Sequence, residues 1–504
     1  MKIFSAEQLK QIDEETIANE PISSIDLMER AAMAFTKRIM KLIHMEDELI
    51  IFCGKGNNGG DGLAITRLLL ERGFICHAYI INYTDEFSVD AEANYNKLKA
   101  TYTTSFSEIN SLADLKEKIT RKNYIVIDAL LGTGLNKPID GLLKEVVTFI
   151  NANFIRTISI DVPSGLFIDQ SSEGNENIVC STLTLTFQFP KLAFLFPENK
   201  KYVPEFEVVD IGISLETINK HSTNYYYITK QDVSTFLKHR NKFSHKGDYG
   251  HALLLAGSKG KSGAAIISSK ACLRSGAGLL TLHSNKSTID ALLNILPEAM
   301  SIEDSNSDFI TEVDTPEKYD AIGFGPGVGN DDQTQTVLKK ICQYYTGKLI
   351  IDADGLNILS ENKTWLDFLP PETILTPHPK EFERLAGKQD NDFEKIKALK
   401  HFCLKYFCIV VLKGAHSAIA FPDGTVFFNS SGNPGLAKGG SGDGLTGIIL
   451  GLLSRGYTAP KAALIGTFIH GFSADLCLKK KSMESLLISD VINDLPKAFK
   501  KLEE

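Results

Sequence analysis

The sequence predicts an α/β protein with two parallel sheets, one in each of two domains. Three observations lead to this prediction: short apolar strands recur along the chain, several end in an aspartate or a glycine-rich loop, and helical segments follow these loops. Strand, loop and helix in this order are typical of βαβ units, in which ligands bind at the carboxyl ends of the strands. A chain of 504 residues also exceeds one ordinary core, so we expect two domains.

Composition narrows the class of protein. Apolar residues make up 43% and charged residues 23%, as in ordinary globular proteins. The formal net charge of −8 argues against nucleic acid or an anionic membrane as the partner. The eight cysteines are scattered, no apolar run approaches the roughly 20 residues that span a bilayer, and MKIFSAEQLKQIDEE resembles neither a signal nor a transit peptide. We therefore expect a cytoplasmic enzyme with reduced thiols.

Two helices are predicted at the start of the chain, at residues 5–19 and 24–43. A strand–turn–helix unit follows, with its strand at residues 49–53, its turn at 54–62 and its helix at 63–72. The strand–turn–helix unit is the opening unit of a Rossmann-type sheet. Its turn, GKGNNGGDG, is longer than the dinucleotide fingerprint and adds the side-chain oxygens of Asn57, Asn58 and Asp61. These oxygens suit ribose hydroxyls or a weakly hydrated cation as well as phosphate, although each residue alone could belong to a plain turn.

Three further strands in this half are predicted at residues 75–82, 123–131 and 155–162. Asp128 and Asp161 lie at the ends of the last two, and the loops GTGLNKPIDG and VPSG follow them. Because the carboxyl ends of parallel strands meet at one edge of a sheet, we expect the loops around Asn58, Asp128 and Asp161 to form one pocket. A single aspartate in such a place is often only a helix cap, but three such loops favour a site.

The motifs KGNNGGDG, DALLGTGL and IDVPSG resemble those of the NAD(P)HX epimerase domain, where NAD(P)HX is hydrated NADH or NADPH. The resemblance covers about residues 1–215, the first predicted domain. It implies that the hydrated dinucleotide is bound by Asn57, Asn58, Gly59, Gly60, Asp61, Gly132, Thr133, Gly134, Leu135, Asn136, Lys137, Pro138 and Asp161. It also implies a K⁺ ion held by Asn58, Asp128 and Ser164. Inverting C6 needs an acid or base at its hydroxyl, and Asp161 is the expected proton-transfer residue.

The second half repeats the strand-and-loop pattern after a polar linker at residues 214–226. Helices are predicted at residues 228–240 and 264–275. Strands are predicted at residues 252–256, 319–324, 348–351, 373–375 and 408–412. Each strand ends in a polar or glycine-rich loop: GSKGKSGA, GFGPGVG, DADGLN, TPHPKEFERL and KGAHSAI. Five such strands predict one parallel sheet with a single active edge.

The stretch 432–456, GNPGLAKGGSGDGLTGIILGLLSRG, predicts a glycine-rich loop that leads into a helix from about Leu445. A helix N-terminus of this kind suits a phosphate, and Asp443 beside it is a candidate general base for a hydroxyl that attacks a phosphoryl group. The alternative is a flexible turn in which Asp443 is an ordinary cap. Lys413 is expected as a nucleotide contact rather than a surface lysine, and His378 as a substrate contact or a structural histidine.

These stretches resemble the ribokinase-like fold, and more narrowly the ADP- or ATP-dependent NAD(P)HX dehydratase, over residues 225–504. The resemblance implies that the hydrated substrate contacts Ala264, Gly327, His378 and Asp443. It implies that the adenine nucleotide is held by Lys413, Gly414, Ala415, His416, Ser417, Gly439, Gly440, Ser441 and Gly442. Many family members have methionine or a similar apolar residue where this chain has Lys261, which leaves that local contact open.

The predicted fold is therefore a Rossmann-like three-layer domain followed by a ribokinase-like α/β domain. The predicted function is repair of NADHX and NADPHX: epimerisation of the R and S forms, and dehydration of the S form as ADP becomes AMP and phosphate. The predicted cofactors are K⁺ in the first domain and Mg²⁺ with ADP in the second, and the chain is expected to be a homo-oligomer. Two alternative hypotheses are a vitamin or sugar kinase of the same fold and a nucleotide-sensing scaffold without activity.

Overall fold

The computed structural model describes residues 1–121 and 123–504 of the chain. These residues divide into two compact units. One, called the N-terminal unit, comprises residues 2–223 with 391–393. The other, called the C-terminal unit, comprises residue 1 with 224–390 and 394–504. In the described residues, no helix has both the length and the apolar character needed to cross a membrane.

The described part of the N-terminal unit is built from seven strands and seven α-helices. The strands are β1 (Glu48–Cys53), β2 (Ile75–Ile81), β3 (Phe106–Ile109), β4 (Ile125–Ala129), β5 (Thr157–Ile160), β6 (Leu183–Phe187) and β7 (Phe206–Val209). The helices are α1 (Ala6–Asn19), α2 (Ser24–Ile39), α3 (Asn57–Glu71), α4 (Val89–Thr101), α5 (Leu112–Lys118), α6 (Gly141–Asn153) and α7 (Leu215–Lys220).

The seven strands form one parallel sheet in the order β3-β2-β1-β4-β5-β6-β7. Successive residues of a strand face opposite sides of the sheet, and both sides are buried here. Ile51 packs with residues of α2 and α3 on one side, whereas Ile50 packs with residues of α5 and α6 on the other. The order of the strands reverses between β1 and β4, the kind of position where open α/β sheets bind ligands.

The described part of the C-terminal unit contains ten strands and ten α-helices. The strands are β8 (Tyr225–Ile228), β9 (His251–Leu255), β10 (Leu279–Ser284), β11 (Met300–Glu303), β12 (Ala321–Phe324), β13 (Lys348–Ile351), β14 (Ile374–Leu375), β15 (Ile409–Leu412), β16 (Ala418–Ala420) and β17 (Val426–Asn429). The helices are α8 (Lys230–Phe236), α9 (Ser262–Arg274), α10 (Lys286–Ile295), α11 (Asp332–Tyr344), α12 (Asp354–Glu361), α13 (Pro379–Ala386), α14 (Asp392–Tyr406), α15 (Ser441–Ser454), α16 (Ala459–Cys477) and α17 (Ile488–Glu503).

These ten strands form one sheet in the order β11-β10-β9-β12-β13-β14-β15-β16-β17-β8. The seven strands from β11 to β15 in this order are parallel, whereas β16 runs antiparallel to both β15 and β17. The predicted α/β class with a parallel sheet in each half is therefore confirmed. The hairpin of β16 and β17 was not predicted, nor were the strands β3, β6, β7, β8, β10 and β11.

The largest departure from the prediction lies in the sequence GKGNNGGDG. Residues 57–62 form the first turns of α3, so the predicted turn over 54–62 is wrong in its second part. Glycine weakens an isolated helix, but here it permits close packing. A Cβ on Gly59 would lie 1.9 Å from the carbonyl oxygen of Gly54, and a Cβ on Gly62 would lie 2.5 Å from the Cβ of Ala129. Contact with the sheet therefore outweighs the intrinsic propensity of these residues.

Several other boundaries also differ from the prediction. The second helix ends at Ile39 instead of residue 43, and α9 begins at Ser262 instead of residue 264. The helix that follows the glycine-rich loop, α15, begins at Ser441 rather than near Leu445, which places Asp443 in its first turn. The predicted linker contains α7 and the start of β8. Tertiary contacts decide these helix ends, which local propensity leaves open.

We predict that Gly447→Ala destabilises the C-terminal unit, because α15 packs directly on α9 at this residue. A Cβ on Gly447 would lie 2.2 Å from the carbonyl oxygen of Ser268, so the two helices would have to separate. The expected loss is ~1–3 kcal/mol of unfolding free energy. The only tryptophan, Trp365, lies in this unit and reports its urea unfolding by fluorescence.

The matched control for this prediction is Gly263→Ala in α9, where no described atom lies within 4 Å of the added Cβ. This control should leave the unfolding midpoint unchanged or raise it slightly, since alanine favours a helix by up to ~1 kcal/mol over glycine. Equal midpoints for Gly447→Ala and the control would contradict the close contact between the two helices.

Candidate active sites

A cavity of about 710 Å³ lies at the carboxyl edge of the sheet in the N-terminal unit. Many of the predicted substrate-binding residues line it, namely Asn57, Asn58, Asp61, Gly132, Thr133, Gly134, Leu135 and Asp161. They come from the start of α3, the loop after β4 and the end of β5. The cavity therefore brings together three strand ends that the sequence predicts to converge.

The remaining predicted residues of this group lie outside the cavity lining. Gly59 and Gly60 are buried in the packing of α3, where a Cβ on Gly60 would meet the sulfur of Met28 at 2.9 Å. Asn136, Lys137 and Pro138 are exposed on the loop after β4. The two glycines thus determine where α3 lies, and the last three residues remain predicted contacts.

Asp161 is held in place by hydrogen bonds to a single one of its carboxylate oxygens. Its Oδ1 accepts from the Thr186 hydroxyl at 3.0 Å, the Phe187 N–H at 2.9 Å and the Lys191 ammonium at 2.7 Å. The backbone of Asp161 has φ of 60°, a strained value for a non-glycine residue at a strand end. Among the described residues, none is recorded as a hydrogen-bond donor to Oδ2, so that oxygen is available to a ligand.

The three predicted K⁺ ligands also lie together, below the loop that follows β4. Asp128 accepts from the Ser164 hydroxyl at 2.6 Å, and the Ser164 hydroxyl accepts from the Leu131 N–H at 2.9 Å. Asn58 donates to the Leu131 carbonyl at 2.9 Å. Burial raises the pKa of Asp128, and the donors from Ser164 and Ser159 only partly oppose this effect. Within the described residues no cationic side chain contacts Asp128.

Asp13 and Lys191 also line this cavity, and the sequence analysis did not find them. Lys191 is buried, with 1% of its side chain exposed, although lysine is rarely buried unless it is paired. Its signal in the sequence is a lone lysine in the apolar run FQFPKLAF. Asp13 gives no such signal, because it occupies an ordinary polar position of the amphipathic helix α1.

The aspartates of the cavity differ in their electrostatic environment. The cavity walls and the nearby charge of Asp161 raise the pKa of Asp13 to about 6, and Lys191 opposes this effect. Asp61 lies deeper, so desolvation together with the charges of Asp161 and Asp13 raises its pKa well above the usual range. One cavity thus contains a carboxylate paired with lysine and two carboxyl groups that retain protons more strongly.

In the C-terminal unit, Asp443 lies in the first turn of α15 and next to a buried ion pair. Lys413 follows β15 and its ammonium lies 2.9 Å from Oδ1 of Asp352, which follows β13. The Thr446 hydroxyl donates to the other oxygen of Asp352 at 2.7 Å, and Glu381 lies 3.9 Å from the same ammonium. Of these residues, Lys413 is a predicted site residue, whereas Asp352, Thr446 and Glu381 carry no signal in the sequence that marked them as such.

The charges of this group shift one another's pKa values. Burial raises the pKa of Asp443 to about 6, helped by the charge of Asp352 and opposed by Lys413. Burial alone would raise the pKa of Asp352, but Lys413 and the Thr446 hydroxyl outweigh it and hold that pKa below its usual value. Asp443 can therefore take or release a proton near neutral pH, whereas Asp352 stays ionised.

The predicted contacts Ala264 and Gly327 lie side by side at the carboxyl ends of β9 and β12. A Cβ on Gly327 would lie 3.2 Å from the Cβ of Ala264 and 3.0 Å from that of Lys261, and its φ of 67° favours glycine. The Lys261 ammonium pairs with Asp354 at 2.9 Å, and Asp354 also accepts from the Gly329 N–H. Lys261 thus joins the loop after β9 to the start of α12.

His378 caps α13, because its Nδ1 accepts from the N–H groups of Lys380 and Glu381 at 3.1 and 3.2 Å. The His378 side chain is half-exposed, and its Nε2 lies 3.4 Å from a Glu381 carboxylate oxygen. The structural role weighed for this histidine is thus observed, and contact with a substrate stays a prediction.

The predicted nucleotide loop from Lys413 to Ser417 is a tight turn. The Gly414 N–H donates to the Ser417 hydroxyl at 3.2 Å, which donates back to the Gly414 carbonyl at 3.1 Å. Ala415 is exposed, whereas the His416 ring lies 3.2 Å from the Asn429 carbonyl oxygen, and burial lowers its pKa. The turn therefore offers Lys413 and exposed backbone to a ligand more readily than the His416 ring.

The glycine-rich loop lies directly beside the ion pair. A Cβ on Gly442 would lie 3.4 Å from the Lys413 ammonium, while Gly439 has open space around it and Gly440 takes φ of 89°. Ser441 begins α15, so the N–H groups of the first turn lack helical partners. The His470 Nε2 is buried behind this turn and has no hydrogen-bond partner among the described residues. The arrangement suits an anion at the helix N-terminus.

Comparison with known families and curated proteins covers both units. A family model described as NAD(P)H-hydrate dehydratase matches residues 252–497, and one described as YjeF-related protein N-terminus matches residues 24–193. The bifunctional NAD(P)H-hydrate repair enzyme of Moorella thermoacetica is 31% identical over 523 residues, covering 100% of this chain and 98% of the relative. The bifunctional NAD(P)H-hydrate repair enzyme of Thermofilum pendens is 31% identical over 515 residues, covering 100% of this chain and 97% of the relative.

Solved structures resemble the C-terminal half. An ADP/ATP-dependent NAD(P)H-hydrate dehydratase from Bacillus subtilis, co-crystallised with ATP and Mg²⁺, is 33% identical with a TM-score of 0.50, covering 56% of this chain and 100% of that one. A ribokinase-like superfamily protein from Enterococcus faecalis is 28% identical with a TM-score of 0.50, covering 56% and 99%. The predicted ribokinase-like fold is confirmed, and the chain belongs to the family of bifunctional NAD(P)H-hydrate repair enzymes.

Proposed function

We propose that the N-terminal unit interconverts the R and S forms of NADHX and NADPHX, and that the C-terminal unit dehydrates the S form as ADP becomes AMP and phosphate. The observation that supports this proposal best is the Asp443 carboxyl, held in the first turn of α15 beside a buried Lys413–Asp352 pair. It combines a titrating base with an anion-binding helix N-terminus, which phosphoryl transfer to a hydroxyl requires.

In the proposed dehydration, Asp443 takes the proton of the C6 hydroxyl while that oxygen attacks the terminal phosphoryl group of ADP. The N–H groups of Gly439–Gly442 and the nearby Lys413 stabilise the charge on the phosphoryl oxygens, and AMP leaves. The electrons of the ring nitrogen then expel phosphate from C6, and loss of a proton from C5 restores the reduced nicotinamide. Asp352 orients Lys413 through their 2.9 Å contact.

Mg²⁺ is proposed to enter with the nucleotide. The described residues contain no group of three or more histidine, cysteine, aspartate or glutamate side chains arranged for a metal ion. Because Mg²⁺ commonly takes most of its ligands from phosphates and water, this donor set fits an ion carried by the nucleotide. The ion would neutralise phosphate charge, while Asp443 and Lys413 perform the protein's part of the reaction.

K⁺ is proposed to lie at Asn58, Asp128 and Ser164 in the N-terminal unit. The donor set fits, because the Asp128 carboxylate is fully buried among hydrogen-bond donors without a cationic partner in the described residues, and oxygen atoms surround it. A bound cation would balance the charge of the Asp128 carboxylate. It would also fix the loop after β4 at Leu131, whose backbone is hydrogen-bonded to Asn58 and Ser164. The loop in turn forms part of the substrate cavity.

Epimerisation is proposed to depend on Asp161, whose free oxygen faces a cavity large enough for part of a dinucleotide. The ion pair with Lys191 fixes the carboxylate, so its position relative to a bound ring does not vary between turnovers. Dehydration of only one epimer would leave the other unrepaired. An epimerase on the same chain allows both to be recovered.

We predict that the full chain, given a mixture of both epimers with ADP, Mg²⁺ and K⁺, recovers all of the reduced nicotinamide. The return of the nicotinamide absorbance measures recovery, and free phosphate is measured in parallel. Phosphate should be released in equal amount, and the spontaneous epimerisation rate is subtracted. A stable phosphorylated product would instead indicate a kinase, and no recovery with either ADP or ATP would overturn the dehydratase proposal.

We predict that Asp443→Asn abolishes dehydration while epimerisation continues, because the amide cannot accept the hydroxyl proton. The expected loss in rate is ~100-fold or more. In the wild type the base must be ionised, and its pKa is about 6, so the dehydration rate should fall as the pH drops through about 6. An Asp443→Asn variant with more than a tenth of the wild-type rate would exclude Asp443 as the base.

We predict that Asp161→Asn stops recovery from the mixed epimers near half, with the R form left over. The amide keeps the size of the side chain but loses the ion pair with Lys191 and the capacity to accept a proton. Dehydration of purified S epimer serves as the matched control and should proceed at the wild-type rate. Complete recovery faster than the spontaneous reaction would contradict the assignment.

A further inference from the structure

The N-terminal cavity contains one carboxylate whose position is fixed, that of Asp161, and two carboxyls that accept no hydrogen bond from a described residue, those of Asp13 and Asp61. Three donors end on Oδ1 of Asp161, including the buried Lys191. In contrast, no hydrogen bond from a described residue is recorded for the Asp13 carboxyl, although it lines the same cavity. Asp13 is exposed where it lines the cavity and its carboxyl is unpartnered, so it is available to a ligand there.

Helix α1 holds Asp13 firmly in this position. Ile12 and Thr16, which lie before and after Asp13 in this helix, are fully buried. Ser5 caps the N-terminus of the helix in a capping box with Gln8. The Ala6 N–H also donates to Asp169 at 2.8 Å. The helix therefore cannot rotate without losing buried contacts, so the backbone of Asp13 has a fixed position at the cavity wall.

Inversion at C6 removes the hydroxyl from one face of the ring and adds it to the other, so it requires proton-transfer groups that reach both faces of C6. The ring nitrogen's electron pair can expel the C6 hydroxyl when that oxygen receives a proton and leaves as water. A water molecule then adds to C6 from the opposite face, the electron pair returns to nitrogen, and the added water gives up a proton. One proton is delivered and one is accepted, so atoms and charge balance without a redox partner.

We propose that Asp13 is a second proton-transfer residue of the epimerisation, acting together with Asp161 on the C6 oxygen. This inference rests on the proposed epimerase function. Asp13 delivers the proton to the leaving oxygen of one epimer, and Asp161 accepts the proton of the incoming water. The proton then resides on Asp161, so the reverse reaction of the other epimer uses the same two groups with their roles exchanged.

The charges around Asp13 suit this role. Enclosure and repulsion by Asp161 raise its pKa to about 6, Glu14 adds to this effect and Lys191 opposes it. A group with such a pKa holds and releases protons near neutral pH. Asp61 also faces this group, and desolvation together with the charges of Asp161 and Asp13 raises its pKa well above the usual range, which disfavours release of its proton.

The test compares three variants of the full chain: Asp13→Asn, Asp13→Glu and the control Glu7→Gln. Glu7 is an exposed acidic residue of the same helix that does not line the cavity. Purified R epimer is incubated with K⁺ but without ADP, so that only interconversion with the S form occurs, and the epimers are separated by chromatography. Dehydration of purified S epimer with ADP is then measured for each variant.

We expect Asp13→Asn to lower the epimerisation rate by ~100-fold or more, Asp13→Glu to restore a measurable part of it, and Glu7→Gln to match the wild type. All three should dehydrate the S epimer at the wild-type rate. Because the protonated form of Asp13 is lost as the pH rises through about 6, the wild-type rate should decline above that pH. The residual rate of Asp13→Asn should lack this decline.

An Asp13→Asn variant that keeps more than a tenth of the wild-type rate would overturn the inference and leave the epimerase function intact. If that variant fails to fold, as judged by its urea unfolding, Asp13→Glu decides: a folded variant that keeps a pH-dependent rate supports the role, and one with a flat residual rate overturns it. A wild-type chain that does not speed interconversion would overturn the proposed function, and the inference with it.

Discussion

Close backbone contact through glycine sets the position of the helix that begins each site. In the N-terminal unit, Gly59 lies against Gly54, so α3 starts directly at the end of β1. In the C-terminal unit, Gly447 lies against Ser268, so α15 packs on α9 and its first turn reaches the sheet edge. Any side chain at these positions would move the helix outward. The unpaired N–H groups of each helix, and the Asp443 carboxyl in the first turn of α15, depend on this contact for their place in the site.

Both sites also contain a lysine paired with one carboxylate, and the side chain of Lys191 is 1% exposed whereas that of Lys413 is 23% exposed. Lys191 binds Asp161, and Lys413 binds Asp352. Removing one partner of such a pair typically costs ~3–5 kcal/mol, because the other charge is left buried. Replacing such an ion pair with two hydrophobic residues often leaves a protein equally stable, so stability alone does not explain why these charged pairs are present. Each ion pair instead fixes the position of a carboxylate at the edge of the sheet, where we propose that a ligand binds.

Sequence reasoning predicted the strand ends, the glycine-rich loops and the convergence of Asn58, Asp128 and Asp161, because these features are local and repeat along the chain. It misjudged the start of α3, since glycine disfavours an isolated helix and only the packing against β1 shows why it is tolerated. It missed Asp13 and Lys191, whose role depends on residues far away in the chain. An aspartate on an amphipathic helix looks the same in one sequence whether it faces solvent or a cavity.

The two sites share one electrostatic arrangement, although their folds and sequences differ. Each has a carboxylate tied to a buried lysine, and beside it a second carboxyl whose pKa is raised to about 6 by enclosure and by the charge of the first. In the C-terminal unit this second carboxyl is Asp443, and in the N-terminal unit it is Asp13. Both proposed reactions act on the oxygen at C6, so both need a group that exchanges a proton near neutral pH. In each site the lysine fixes the position of one carboxylate, and the carboxyl whose pKa is raised to about 6 is its neighbour.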